Sequence, residues 1–318
     1  MSNPKSTMPS AIRQSSTSAL RSVSSVPLGS GDRVLEDRVR GAASTRPAVV
    51  HPPSSGSARR VNFLGCPLDL LTSATLLEEL SQAIDHRGAP RVIQFVNANK
   101  VAQVREDADM ERIMWRADYA LADGQPLLPM GWMLGIPIPE RIDGIGLMGK
   151  MLALAHERGY SVFLLGAKQH VVKACVRKIQ REFPNARIAG FRNGYFNGPE
   201  IADVVRQVAA ARPDMLFLGM GSPMKEQFAD QYAGELGAAV IQGVGGSFDV
   251  MAGIVKRAPV WVQRVGFEWA YRIIQEPRRM FWRYVKTNAQ CLIVFVQAIV
   301  SPSSSTKRPT SRTSSSLR

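Results

Sequence analysis

Residues 214–253 read DMLFLGMGSPMKEQFADQYAGELGAAVIQGVGGSFDVMAG, and the parsing of that stretch decides the fold. Two apolar runs, residues 215–218 and 238–241, each end in a glycine cluster. The first cluster, Gly219-Met220-Gly221-Ser222-Pro223, opens a helical pattern over residues 224–236. The second, from Gly243 to Asp249 and including Gly245 and Gly246, leads into another turn. A buried strand, a glycine turn and a helix start form the basic unit of an open parallel sheet, whose ligands bind at the carboxyl ends of the strands. Glycine lets the backbone come close to a ligand, and the free N–H groups at a helix start favour an anion. Two such turns in succession predict a nucleotide-diphosphate pocket. Neither matches G-x-G-x-x-G or G-x-x-x-x-G-K-[ST], which argues against a dinucleotide or ATP.

Working outward, short apolar runs alternate with helical patterns. A short strand and turn are predicted at residues 61–65, strands at 91–96, 119–122, 161–165 and 187–190, and helices at 73–86, 101–117, 127–134, 146–158, 168–182 and 200–211. Residues 194–198 read as a loop. This alternation indicates an α/β fold, a doubly wound, mostly parallel sheet with helices on both faces. Residues 1–60 and 301–318 are rich in Ser, Pro and Arg with little apolar periodicity, and are expected to be disordered basic tails. They bracket an α/β body at 61–255 and a helical appendage at 256–300.

The chain has 318 residues and a net charge of +14. That charge resides in the two tails and in residues 256–286, leaving the α/β body close to neutral. Candidate partners are an anionic membrane face or a phosphate-bearing ligand; no aromatic-interleaved basic stripe points to nucleic acid. Cys66, Cys175 and Cys291 follow no metal or redox spacing and fit buried thiols in a reducing cytosol. The N-terminus has no apolar core of signal-peptide length, so export is not expected. The longest apolar run, residues 291–300, is well short of the roughly 20 residues a spanning helix needs. Before it, Trp261, Val265, Trp269 and Ile273 keep helical spacing, and Arg278, Arg279 and Arg283 crowd beside Phe281 and Trp282. Arginines mixed with aromatics suggest a segment lying at the bilayer interface. An ordinary packed helix is the alternative.

Several residues could carry chemistry. Asp123 follows a predicted strand, where its carboxylate would face the ligand crevice as a general base or, alternatively, cap the helix at Leu127. Asn97 and Asn99 close the preceding strand; if extended, both amides would face one side, though turn formation is the simpler reading. Arg141, beside Asp143 in PERIDG, could grip a phosphate or pair with that aspartate. Asp107 and Asp109 resemble a metal-holding D-x-D but fall in a helical pattern, where they would diverge. The four histidines show no zinc spacing, and no metal site is expected.

In order along the chain, VNANK, LADGQP, PERIDG, VFLLGA, GYF, GMGSPMKE, GVGGSFDVMAG, RAPVW and GFEWAYRIIQEPRR together resemble the WecG/TagA/CpsF glycosyltransferases, over about residues 61–282. The resemblance implies a Rossmann-like fold and an inverting, metal-independent transferase that uses no cofactor. Such enzymes move a hexose-type sugar from a UDP-sugar to a polyprenyl-diphosphate-linked saccharide at the cytoplasmic membrane face, for surface polysaccharide or exopolysaccharide. By motif, Asp123 would be the base, and Asn97, Asn99, Arg141 and Lys225 would line the sugar and acceptor crevice. Gly219, Gly221, Gly243, Gly245, Gly246 and Asp249 would surround the nucleotide. Arg272, Arg278, Arg279 and Arg283 would belong to an appendage meeting the membrane and the diphosphates. The family often has Thr at Asn97 and Lys-Gln-Glu at Met224-Lys225-Glu226. Those departures bear on the donor sugar, since an ammonium and an amide prefer different partners. A non-catalytic sugar-nucleotide-binding module is the competing function, and a dehydrogenase lacks its glycine fingerprint.

Overall fold

The computed structural model describes residues 59–256, 258, 259, 262, 271 and 277–300. Its centre is a six-stranded, wholly parallel sheet. The strands are β3 (Arg91–Val96), β4 (Tyr119–Ala122), β5 (Ser161–Gly166), β6 (Arg187–Arg192), β7 (Met215–Gly219) and β8 (Val240–Gly243), in the order β4-β3-β8-β7-β5-β6. A hairpin of β1 (Arg60–Phe63) and β2 (Cys66–Asp69) precedes it. The helices are α1 (Ser73–His86), α2 (Ala98–Glu106), α3 (Ala108–Arg116), α4 (Leu127–Met133), α5 (Gly144–Arg158), α6 (Gln169–Glu182), α7 (Ile201–Ala211), α8 (Met224–Tyr232), α9 (Ser247–Met251) and α10 (Pro277–Val300).

Side-chain alternation divides the core into layers. Phe95, Leu164, Phe217 and Val240 pack with residues of α1, α5 and α6 on one face. Phe163, Leu165, Leu216, Leu218 and Ile241 pack against α7 and α8 on the other. Val96, Ala120 and Ala122 join α2, α3 and one side of α10 in a third cluster. Strands buried on both faces are what a parallel sheet requires.

The short strand and turn expected at 61–65 are β1 and the bend of a hairpin, whose second arm, β2, lies outside the predicted strands. Asp69 accepts from the Ala120 N–H at 2.7 Å, while Arg60 grips Asp69 and the carbonyls of Ala117 and Asp118. The hairpin thereby covers the exposed edge of β4. The single helix predicted at 101–117 is two helices: Asp107 is extended, and its carboxylate accepts from the N–H groups of Asp109 and Met110. Asp107 is therefore a helix cap, not a position inside a helix. The spacing of Trp261, Val265, Trp269 and Ile273 lies outside the described residues.

The sheet is tightest where β5 and β7 end. Gly166 and Gly219 are paired residues, and a Cβ on Gly166 would stand 2.4 Å from Gly219 backbone atoms. On Gly219 itself a Cβ would meet the Phe248 ring at 2.3 Å. Gly219→Ala should therefore destabilise the fold by about 1–3 kcal/mol, as overpacking does. Gly221 has open space around it, so Gly221→Ala serves as the control. A urea midpoint for Gly219→Ala equal to that of Gly221→Ala would contradict the packing argument.

Candidate active site

Because every strand of the sheet runs the same way, the ends of β4, β3, β8 and β7 line one edge. Asp123 follows β4, Asn97 follows β3, Gly243, Gly245 and Gly246 follow β8, and Gly219 and Gly221 follow β7. With neighbouring strands about 4.8 Å apart, Asp123 stands about 10 Å from the β8 turn, roughly the span of a sugar and a phosphate.

Asp123 is positioned from two sides. Its N–H donates to the Val96 carbonyl at 2.9 Å, and its own carbonyl accepts from Arg141 Nε at 2.8 Å. Asn97 Nδ2 donates to the carboxylate at 3.4 Å. At the start of α4, Pro126 holds the N-cap position and makes no side-chain cap. Arg141 also donates to Gln125 at 3.4 Å, and the next residue, Ile142, donates its N–H to the Ala122 carbonyl at 2.8 Å. The PERIDG loop thus extends along β4 and carries Arg141 to the site. Asp143 caps α5 by accepting from the Gly146 N–H at 2.7 Å.

Asn97 and Asn99 do not share an extended segment. Asn97 is extended and caps α2, accepting from the Lys100 N–H at 3.1 Å, whereas Asn99 is already helical. The same-side argument from strand geometry therefore fails for this pair. Of the glycines, Gly219 makes room for Phe248 and Gly243 for the stem of Lys225; around Gly221, Gly245 and Gly246 a Cβ would find open or ordinary space. Asp249 lies in the first turn of α9 beside Gly246. Arg272 falls outside the described residues, and Arg278, Arg279 and Arg283 lie in α10.

Sequence reasoning missed the most buried ionic group at this edge. Lys100, in the first turn of α2, meets Glu226, in the first turn of α8, at 2.8 Å. Glu226 is fully buried, and Lys225 also bonds it. Lys100 Nζ further donates to Ser222 Oγ at 2.6 Å and Gln103 Oε1 at 2.8 Å. The network spans from the helix after β3 to the helix after β7, across the end of β8. Burial pushes the Glu226 carboxyl up, but Lys225 and Lys100 outweigh it and hold the group down at about 2. Burial brings Lys100 down to about 8 despite the attraction of Glu226, with Lys225 pushing the same way as burial. The two directions agree physically: one carboxylate faces two ammonium groups, while each ammonium has a like charge nearby. The available signal was complementary charge at equivalent places, the third residue of each helix that follows a strand.

The three cysteines are free and buried, with burial pushing Cys66 and Cys175 up to about 12 and Cys291 to about 11. Among the described residues, no three of His, Cys, Asp and Glu come together as a metal-holding group. None of the described helices is long and apolar enough to cross a membrane.

Residues 61–305 match the family described as the glycosyl transferase WecG/TagA/CpsF family. Among curated proteins, the chain is 37% identical over 193 residues to an N-acetylglucosaminyldiphosphoundecaprenol N-acetyl-beta-D-mannosaminyltransferase of Bacillus subtilis (strain 168), covering 61% of this chain and 73% of that protein. A protein of the same name from Staphylococcus aureus (strain MW2) is 31% identical over 222 residues, covering 70% of this chain and 87% of its own length.

Removing one partner of a buried ion pair leaves the other charge uncompensated, so Glu226→Ala should cost about 3–5 kcal/mol of stability. The folded carboxyl titrates below its ordinary value of 4.5, so its contribution is complete above that pH and is lost as pH falls towards about 2. Denaturant titrations between those limits should show a shallower acid loss in Glu226→Gln than in the natural protein. Parallel acid limbs would refute the assignment.

Proposed function

This chain belongs to the WecG/TagA/CpsF glycosyltransferase family, and from that premise we propose that it transfers a hexose-type sugar from a UDP-sugar to a polyprenyl-diphosphate-linked saccharide, with inversion and without a metal ion. It is a glycosyltransferase; the donor, the acceptor and the stereochemical course are the proposal. The relatives' names specify an N-acetylglucosaminyldiphosphoundecaprenol acceptor and an N-acetyl-beta-D-mannosaminyl group as the sugar transferred, and supply the acceptor class.

One observation supports the mechanism: Asp123, whose carboxylate accepts from Asn97 and whose carbonyl accepts from Arg141, follows β4 at the strand edge from which the glycine turns also leave. An acceptor hydroxyl between them would give its proton to Asp123 as its oxygen bonds the anomeric carbon. The bond from that carbon to the diphosphate would break on the opposite face, leaving negative charge on the departing nucleotide. Arginines and the N-terminal ends of helices at this edge would stabilise that charge. Asn99 and Arg141 would line the acceptor side, and Gly221, Gly245, Gly246 and Asp249 the nucleotide side.

The reading includes association with the cytoplasmic membrane face, where a lipid-linked acceptor is found. It is supported by α10, whose one side (Cys291, Val294, Phe295) is buried while Leu292, Ile293, Val296 and Val300 are exposed. Trp282 on the same helix and Trp132 on α4 are 74% and 80% exposed. Apolar side chains in contact with solvent beside a segment rich in arginine suit a bilayer surface. On this reading Arg272, Arg278, Arg279 and Arg283 would meet lipid phosphates and the acceptor diphosphate.

The test is a panel of UDP-sugars with a polyprenyl-diphosphate saccharide in vesicles, comparing the natural chain with Asp123→Asn. Turnover should fall by about two orders of magnitude or more, the usual loss when a general base is removed. Undiminished turnover would refute the base assignment. Adding EDTA should leave the rate of the natural chain unchanged; inhibition reversed by a divalent cation would refute the metal-free course.

A further inference from the structure

The buried ionic group beside the crevice is unevenly matched. Lys100 Nζ at 2.8 Å and Lys225 Nζ both meet the same oxygen of Glu226, Oε1, and Oε2 has no hydrogen-bond partner. Two cations against one anion leave one unit of positive charge under cover, and the N-terminal end of α8 adds partial charge of the same sign. Charge buried without a counter-charge is costly.

The two lysines differ in what else they hold. Lys100 has Ser222, Gln103 and Glu226 as acceptors, enough for its three hydrogens. Lys225 has one hydrogen bond among the described residues, to Glu226, and its side chain is 15% exposed. Two of its three donors are therefore left for a ligand. Its stem crosses the end of β8: Cδ and Cε lie 3.1 and 3.2 Å from where a Cβ on Gly243 would stand. A side chain at position 243 would displace it. The stem thus lies over the end of the strand between β3 and β7, the strand that the Gly245–Gly246 turn follows.

We propose that Lys225 is the cation that receives an anionic group of the bound donor, and that Glu226 and Lys100 are positioning residues that hold it there. The inference rests on the donor being a nucleotide sugar, as proposed above. The anionic group is the diphosphate or a carboxylate on the transferred sugar; the chemistry at Lys225 is the same, a charge-assisted hydrogen bond.

Calorimetric titration without acceptor tests it, using UDP, a UDP-N-acetylhexosamine and a UDP-hexuronate against the full chain and its Lys225→Met and Lys225→Arg variants. Lys225→Met should bind at least about tenfold more weakly, the loss expected for one charge-assisted hydrogen bond, and Lys225→Arg should recover most of it. Equal weakening for all three ligands assigns the contact to the diphosphate; weakening confined to the hexuronate assigns it to the sugar carboxylate. If Lys225→Met does not fold, Lys225→Gln supplies a second neutral side chain and is expected to show the same loss. A folded neutral variant that binds all three ligands as tightly as the natural chain overturns the proposal while leaving the Asp123 mechanism intact. A natural chain that binds none of the three overturns the donor reading, and this inference with it.

Discussion

Parallel pairing is the constraint on which everything else depends. In a sheet whose six strands all run one way, the peptide chain leaves every strand at the same edge, and each exit must turn sharply into a helix or a loop. Residues distant in sequence, Asn97, Asp123, Gly221 and Gly245, are brought to one rim by that fact alone. Helix starts gather there too, and with them N–H groups that the helices cannot satisfy internally.

The opposite rim shows what an edge looks like when it serves only stability. Asp118 accepts from Arg91 at 3.1 Å and from the Val92 N–H at 2.9 Å. Asp214 accepts from the N–H and hydroxyl of Ser161 at 2.7 and 2.8 Å and pairs with Arg87. Each of those carboxylates has its oxygens occupied and closes a gap between strand beginnings. At the carboxyl rim the account does not balance: Glu226 keeps a bare oxygen, Lys225 keeps unused hydrogens, and several glycines leave space. An edge with complete pairing resists change, whereas one with unmatched groups is prepared for something that arrives later.

Much of the fold was readable in the residues. The runs RVIQFV and YALA are strands at the predicted bounds, and Ser73 to His86 is a helix as its spacing indicates, because in each the apolar pattern and the punctuating residues agree. The pattern fails where a single side chain overrides it. Asp107 interrupts a continuous helical periodicity by capping, and β2 exists because Asp69 is called on to pair with β4 and Arg60. At the site, Asp123 stood out because glycine and proline mark its turn. Lys100 and Glu226 did not, since a lysine and a glutamate in the first turns of two separate helices look solvated until the strand order brings those helices together across β8. Pairing across the sheet is a property of the topology, and periodicity holds no record of it.

The three cysteines carry a practical consequence. Each is enclosed and holds its proton far above neutral pH, so the nucleophilic thiolate is a very small fraction of the folded population. Thiol-directed labels should therefore react slowly with them while the protein stays folded. A spin label or fluorophore attached through one cysteine introduced at an exposed position such as Trp132 would react there faster than at the enclosed natural thiols.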